Sequence, residues 1–325
     1  DKSTTSALYN FTNKLHEALD GSRSALGVFC DLSKAFDCVN HKILLLKLHH
    51  YGIRGVALRL LHSFLSHRKQ RVDITDFNEC THQSSWSEVK LGVPQGCILS
   101  PVLFLLYIND LTCHIPNTNM FMYADDVSVL VKGDSNCAIQ DNASLVHTHF
   151  SDRFDANGLL LNVSKTKAVE FYNPRRRHDT FITSIEVNSA QIFSDKSSTF
   201  LGVELDSSLS WGPHIYALLR KLSSATYALG VLRESCSTEV LLEVYRGYFE
   251  SLVRYGIAQW GGVSLAENIF IAQKKAIRRI YGLKRRESVK RIFAEKKLLT
   301  VPCIFILEIL VITFININKY RTVTD

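Results

Sequence analysis

Three aspartates stand where carboxylates can do chemistry. Asp31 follows directly on the apolar run Leu26 to Cys30, while Asp125 and Asp126 lie side by side between the apolar runs Phe121 to Ala124 and Val127 to Val131. Each set of acids is therefore delivered at the end of a buried strand. A lone aspartate pair at a turn has an ordinary explanation, because Asp side chains bond nearby backbone amides. A second acid delivered in the same way favours a shared site instead. Such oxygens suit Mg²⁺, which takes waters and substrate phosphates to complete its octahedron. Two ions about 3.5–4 Å apart clamp the attacking and leaving oxygens of a phosphoryl displacement. Between the acids in the sequence lies Leu91-Gly92-Val93-Pro94-Gln95-Gly96-Cys97-Ile98-Leu99-Ser100-Pro101. Its glycines and proline force a particular backbone path and permit close approach of another group, and Gln95 can hydrogen-bond a base or sugar.

The elements that must position these groups follow from periodicity and punctuation. Helical spacing covers residues 5–19, 41–50 and 54–65, the last two separated by Gly52. Residues 25–29 form a short strand. Arg71 to Thr75 and Trp86 to Leu91 are expected to pair across a polar loop. Ser100 and Pro101 form a cap and first helical residue, opening a helix through Leu111 that Pro116 does not let continue. Phe121 to Val131 reads as strand, tight turn, strand; 137–157 as a long helix ended by Gly158; and 168–172 as another strand. The polar break Asn173-Pro174-Arg175-Arg176-Arg177 is the expected internal boundary, followed by short strands near 181–187 and 199–205 and by helices from His214 onward. Mixed strands and helices followed by helices alone define an α+β protein with an all-α region behind it.

Composition narrows the class. With 46% hydrophobic residues in 325, the chain can bury sizeable cores, which excludes disordered and fibrous classes. Its 38 Lys and Arg against 31 Asp and Glu give +7, yet residues 264–300 alone hold eleven basic and three acidic residues. A near-neutral body thus carries one basic segment, with Lys274/Arg278, Lys275/Arg279 and Arg286/Lys290 at helical spacing, either on one helix or on two broken at Gly282. A charge surplus this one-signed suits the phosphate backbone of a nucleic acid better than an ordinary solvated face. Eight scattered cysteines without a C-x-x-C pair suggest reduced thiols in an intracellular protein, and the histidines show no metal-binding spacing. The apolar run Val301 to Ile317 is shorter than the roughly 20 residues of a bilayer span and is expected to be a buried helix, with no stable membrane insertion.

In this order the segments closely resemble the palm of a reverse transcriptase. Phe29-Cys30-Asp31-Leu32-Ser33-Lys34-Ala35-Phe36-Asp37 is similar to the family's first catalytic motif, Leu91 to Phe104 to the second, and Tyr123-Ala124-Asp125-Asp126 to the third. Leu161 to Lys167 resembles the next motif, and Phe200-Leu201-Gly202-Val203 the primer-grip hairpin. The wording Asp-Leu-Ser-Lys-Ala-Phe-Asp and Gly-Val-Pro-Gln-Gly resembles LINE-like, non-LTR retrotransposons, in particular the jockey-like clade.

The resemblance implies RNA-directed DNA synthesis on a right-hand polymerase fold: an antiparallel palm sheet with packed helices over 1–172, a primer-grip-like β segment over 173–212, and a helical thumb and connection region over 213–325. It implies that Asp31 and Asp125 hold Mg²⁺ or Mn²⁺ with Asp126 in support. By the same resemblance Phe36 excludes a ribose 2′-OH, Gln95 and Gly96 line the nascent base pair, and Lys165 assists the departing pyrophosphate. Lys274, Lys275, Arg278, Arg279, Arg286 and Lys290 then grip the backbone of an RNA template and DNA primer, with dNTPs as substrates. Relatives carry a basic fingers region ahead of the first acid, whereas about thirty residues precede Asp31 here, so an N-terminal truncation is expected. Asp37 and Asp110 read as structural, and Phe154 stands where the family often has Trp. The alternative is a catalytically inactive remnant that only binds nucleic acid.

Overall fold

Every residue of Ser24–Cys30 is buried, the pattern of a strand covered on both faces. The computed structural model, which describes residues 3–21, 24–111, 118–133, 135–174, 182, 184–187 and 190–317, places this strand near the middle of an antiparallel sheet. Helix α1 (Thr4–Gly21) precedes strand β1 (Ser24–Cys30), and β2 (Leu32–Ser33) follows it. Helices α2 (His41–His50) and α3 (Gly55–Leu65) come next, then the short strands β3 (Lys69–Gln70), β4 (Asp73–Thr75), β5 (Thr81–Gln83) and β6 (Ser87–Glu88). Helix α4 (Leu99–Ile108) leads to the hairpin β7 (Thr118–Tyr123) and β8 (Asp126–Lys132), then α5 (Asn136–Ala156), β9 (Leu160–Leu161) and β10 (Lys167–Tyr172). A second hairpin, β11 (Ser184–Val187) and β12 (Ala190–Phe193), closes this part.

The sheet order is β10-β1-β8-β7, so β1 and β8, which present the acids, are its two inner strands. Leu26, Val28 and Cys30 join Val127, Val129 and Val131 in a core with Phe104 and Tyr107 of α4 and Phe150 and Phe154 of α5. Gly27 is required by packing: a Cβ there would sit 2.7 Å from the Phe171 ring and 3.2 Å from that of Phe29. Helix α5 is bounded as its sequence suggests. Ser135 caps its start by accepting from the Ala138 amide at 3.2 Å, and Gly158 takes φ 62° just beyond its end.

The chain divides into two units, Glu17–Asp195 and a second made of Asp1–His16 with Lys196–Asp325. The boundary therefore falls later than the expected break at 173. Hairpin β11–β12 belongs with the sheet, through an Ala168–Ser194 bridge and the Asp195 amide donating to the Ala168 carbonyl at 2.8 Å. Residues 1–16 likewise leave the expected first domain: the Phe11 ring lies 4.7 Å from that of Phe200, and Thr12 Oγ1 donates to Gln259 Oε1 at 2.8 Å. Arg175–Arg177 and Pro116 lie outside the described residues.

In the second unit, β13 (Ser197–Phe200) and β14 (Val203–Asp206) form a hairpin whose turn, Leu201–Gly202, takes φ 46° and 78°. Positive φ at both positions matches the twist of paired strands. Burial works against the charge of Asp206, but bonds from Ser210, Ser208 and Trp211 outweigh it and hold its carboxyl below the usual range. Helices α6 (Gly212–Leu232) and α7 (Thr238–Val244) follow; α7 continues through a π-helical turn, Tyr245–Glu250, into α8 (Ser251–Arg254). Then come α9 (Ile257–Trp260), α10 (Glu267–Tyr281), α11 (Lys290–Glu295) and α12 (Val301–Ile315). Fully buried Gln273 ties three of these segments together: its Nε2 donates to Tyr245 Oη and the Leu299 carbonyl, each at 2.8 Å, and its Oε1 accepts from the Val301 amide at 3.0 Å.

Three local expectations are corrected. Ser100 does not cap α4, whose first turn begins at Leu99 with Ile98 already helical; the buried Ser100 hydroxyl instead donates back to the Pro94 carbonyl. Residues 69–88 make two short ladders, β3 with β6 and β4 with β5, rather than one pairing of 71–75 with 86–91. All of those strand residues are exposed, so no buried face dictates a register. Helix α12 forms where the apolar run lies, but only Val301 and Ile304 are buried, while Ile306, Leu310, Phe314 and Ile315 are exposed. A helix apolar on all sides does not reveal which side packs. No helix among the described residues is long and apolar enough to cross a membrane.

Because the Phe171 ring fills the space above Gly27, Gly27→Ala is expected to lower stability by about 1–3 kcal/mol. Urea denaturation followed by circular dichroism reads this as a lower midpoint with little change in slope.

Candidate active site

The register brings the acids together. Cys30 pairs with Val127 across β1 and β8, so one further step sets Asp31 opposite Asp126. On the other flank Phe29 pairs with Lys167, and two further steps set Asp31 opposite Lys165. Lys165 Nζ indeed lies 3.7 Å from Asp31 Oδ2, and the Asn162 amide donates to the Asp31 carbonyl at 2.8 Å. Lys165, Asp31 and Asp126 thus form a row across the ends of three strands. Asp125 adjoins the row in the two-residue turn between β7 and β8, where Ala124 takes φ 52°. That conformation costs a non-glycine residue about 1–2 kcal/mol and marks a turn held by its surroundings.

Charge is concentrated here over a buried base. Burial, then Asp125, then Asp31 raise the Asp126 carboxyl above the usual 3.8. Beneath the row, burial pushes the Cys30 thiol up to about 12. The Lys165–Asp31 pair is well exposed, so solvent screening leaves it worth less than about 1 kcal/mol and it does not neutralise the cluster.

Among the described residues no three Asp, Glu, His or Cys side chains close into a ready-made metal cage. The set of donors nevertheless fits Mg²⁺, which is usually held by one or two carboxylates together with substrate phosphates. A divalent cation would offset the burial and the two neighbouring charges that raise the Asp126 carboxyl.

The Gly-rich segment docks on the stretch that follows β2. Gly92 (φ 87°) lies so close to Asp37 that a Cβ would be 2.9 Å from its Cα and carbonyl oxygen. Its amide donates to the Val39 carbonyl at 2.8 Å, and the Val93 amide to the Phe36 carbonyl at 2.9 Å. Gln95 Nε2 donates to Asp37 Oδ1 at 3.1 Å, which gives Asp37 the structural role expected of it. Phe36 is half-buried and stacks on Phe104 at 4.6 Å, and Gly96 (φ 78°) has open space around it. Asp110 is also structural, paired with Lys47 at 2.6 Å, and Phe154 is buried against Phe150.

The six basic residues separate into two groups. Lys275, Arg278 and Arg279 converge at the C-terminal end of α10 and line a cavity of about 450 Å³, joined there by Arg233 and Arg285. Lys274 instead sits 4.2 Å over the Phe270 ring, while Arg286 and Lys290 lie beyond Gly282 and do not line the cavity. Arg233 escapes sequence reasoning because it comes from α6, 42 positions before Lys275. The sequence offers one signal for it, a glycine near each helix end, at 230 and 282.

Carboxylates at the ends of inner antiparallel strands are thus joined by a glycine-docked loop and a flanking lysine. The chain belongs to the reverse transcriptase (RNA-dependent DNA polymerase) family, whose model matches residues 2–205. It is similar to the RNA-directed DNA polymerase from mobile element jockey of Drosophila melanogaster, at 26% identity over 291 residues, 86% of this chain and 31% of that protein. The Drosophila funebris counterpart is 28% identical over 302 residues, with the same coverage of 86% and 31%. These relatives bear out the jockey-like resemblance, and this chain spans about a third of their length. Among solved structures, apo telomerase from Candida tropicalis aligns with a TM-score of 0.42 at 14% identity, over 85% of this chain and 50% of the other.

Two outcomes follow from the geometry. The raised Asp126 carboxyl holds its proton in the folded chain at pH values where the unfolded chain has lost it. Its contribution to stability is therefore full below 3.8 and fades as pH rises through the folded value. In metal-free buffer, Asp126→Asn is expected to abolish that decline and unfold at a higher temperature than the parent at pH 7. Gly92→Ala is expected to cost about 2–4 kcal/mol through strain and collision with Asp37, seen as an earlier thermal midpoint.

Proposed function

We propose that this chain is the catalytic core of a retrotransposon reverse transcriptase, which extends a DNA primer on an RNA template using dNTPs. The observation that carries the reading is the row Lys165–Asp31–Asp126, with Asp125 at the adjoining turn. In the reaction the primer 3′-OH attacks the α-phosphate of the dNTP and pyrophosphate leaves. Phosphoryl transfer of this kind depends on positioning and on electrostatic stabilisation more than on covalent help from the protein. Asp31 and Asp125 would hold Mg²⁺ or Mn²⁺, with Asp126 supporting them. When bound, such ions supply charge neutralisation at the attacking and leaving oxygens.

The remaining groups orient the substrates. Lys165, beside Asp31, stabilises the charge that develops on pyrophosphate or donates a proton to it. Phe36, braced by Phe104, presents its edge where a ribose 2′-OH would stand, and Gln95 and Gly96 face the nascent base pair. Gln95 is steadied for this by Asp37. The unit Glu17–Asp195 then serves as palm with residual fingers, and the β13–β14 hairpin as a primer grip; Tyr255 Oη donates to the Leu201 carbonyl in its turn at 2.5 Å. The helices from α6 onward act as thumb and connection, with Lys274, Lys275, Arg278, Arg279, Arg286 and Lys290 on the nucleic-acid backbone. An intracellular ribonucleoprotein, nuclear or cytoplasmic, is the setting that such an activity requires.

Primer extension on an RNA template with Mg²⁺ tests the reading. The parent chain is expected to incorporate dNTPs, and Asp125→Ala to lose about 10³-fold or more of the rate. Lys165→Ala is expected to lose about 10²-fold, the usual scale of proton-transfer assistance. Extension that survives Asp125→Ala contradicts the site. Salt-sensitive binding with no extension under either ion supports the inactive alternative.

A further inference from the structure

The cavity at the C-terminal ends of α6 and α10 gathers five cations, Arg233, Lys275, Arg278, Arg279 and Arg285, and among the described residues no acidic side chain lines it. Among the described residues none of the five forms an ion pair with a carboxylate. The bland explanation is that they answer the negative ends of two helices. Each helix end amounts to only about half a negative charge. Two of them offset about one of five positive charges, and the remainder repel one another. A surplus of that size in a concave site suits a polyanion.

The guanidiniums are also seated in a particular way. A Cβ at Gly230 of α6 would stand 2.0 Å from Arg279 Nε, and one at Gly282 would stand 2.1 Å from Arg233 Nη2. Each helix therefore supplies a bare backbone on which the arginine of the other lies. The arrangement is reciprocal, and it seats two planar forks against glycine backbone in the lining of one cavity. Arg278 is restrained separately, its Nε donating to the Glu287 carbonyl at 2.8 Å. Planar guanidinium forks bind phosphate oxygens in pairs, which a lysine ammonium does not do.

We infer that the α6–α10 cavity is a discrete phosphate-binding pocket that holds backbone phosphates of a nucleic acid between the glycine-seated Arg233 and Arg279. This deepens the reading of the chain as a reverse transcriptase by locating a pocket separate from the carboxylate row. It differs from a diffuse basic face in requiring geometry as well as charge.

The test is binding of a labelled RNA–DNA hybrid by the 325-residue chain across a salt series, with inorganic pyrophosphate as competitor. Arg233→Ala and Arg279→Ala are each expected to weaken binding about fivefold or more and to lower the salt slope by about one. Arg233→Lys, which keeps the charge but loses the fork, and Gly230→Ala, which keeps the charge and is favoured in a helix, are both expected to weaken binding as well. Arg220→Ala removes the same charge from an exposed position on α6 outside the cavity and is expected to have little effect. Pyrophosphate is expected to compete with the hybrid on the parent and far less on Arg233→Ala, with thermal midpoints reported for every variant. The proposal is overturned if Arg233→Lys and Gly230→Ala, folded, bind like the parent, or if Arg220→Ala matches Arg233→Ala. Pyrophosphate binding that depends on Arg233 without any change in hybrid affinity overturns it too. Primer extension judges the catalytic reading separately, since binding through this pocket persists in Asp125→Ala.

Discussion

Like charges held close together set the central constraint on this molecule. Two unit charges 4 Å apart interact by about 1 kcal/mol in water and about 4 kcal/mol at the effective dielectric near a protein surface. The register of β1 against β8 nevertheless sets Asp31 opposite Asp126, with Asp125 adjacent to Asp126 in the turn; burial first, and then these two charges, raise the Asp126 carboxyl. Lys165 is too exposed to balance the cluster. The arrangement is tolerable because the acids sit at the rim of the sheet, where water, a cation or a triphosphate can reach them.

Everything beneath the acids serves to hold that rim still. β1 is buried along its whole length, and its apolar neighbours on β8, α4 and α5 leave little freedom for a register shift, which would send each side chain to the opposite face. The loop carrying Gln95 is pinned by the approach of Gly92 to the Asp37 backbone and by amide bonds to Val39 and Phe36. The Gln95 loop and the Phe36–Val39 segment that follows β2 are thus parts of one hydrogen-bonded assembly. The second unit uses the same device with the opposite charge: bare glycine backbone lets Arg233 and Arg279 approach more closely than any side chain would permit.

How much of this was legible in the sequence depended on the range of the interactions. Local patterns told most of the story of the elements: the strand before Asp31, the turn at Asp125, the helix ended by Gly158 and the hairpin around Gly202 all lie where their residues indicate. The pairing of Lys165 with Asp31 follows from a strand register that only the fold reveals. Ser100 had the chemistry of a cap but found a nearer acceptor in the Pro94 carbonyl. The attachments of residues 1–16 and of β11–β12 are long-range, so a polar break at 173 does not reveal where the two units part. Helix α12 was expected to be buried because hydropathy alone does not say how many neighbours a helix has. Arg233 was missed for the same reason: no spacing rule links α6 to α10.

The central claim is that strand register sets Asp31 against Asp126, beside Asp125 in the turn, in an electrostatic site that a divalent cation relieves. Carboxyl carbon NMR of aspartate-labelled chain, titrated over pH with and without Mg²⁺, tests it directly. The account predicts that Asp126 titrates above 3.8 without metal, and that either saturating Mg²⁺ or the change Asp31→Asn brings it down. An Asp126 that titrates at its ordinary value and responds to neither would contradict it.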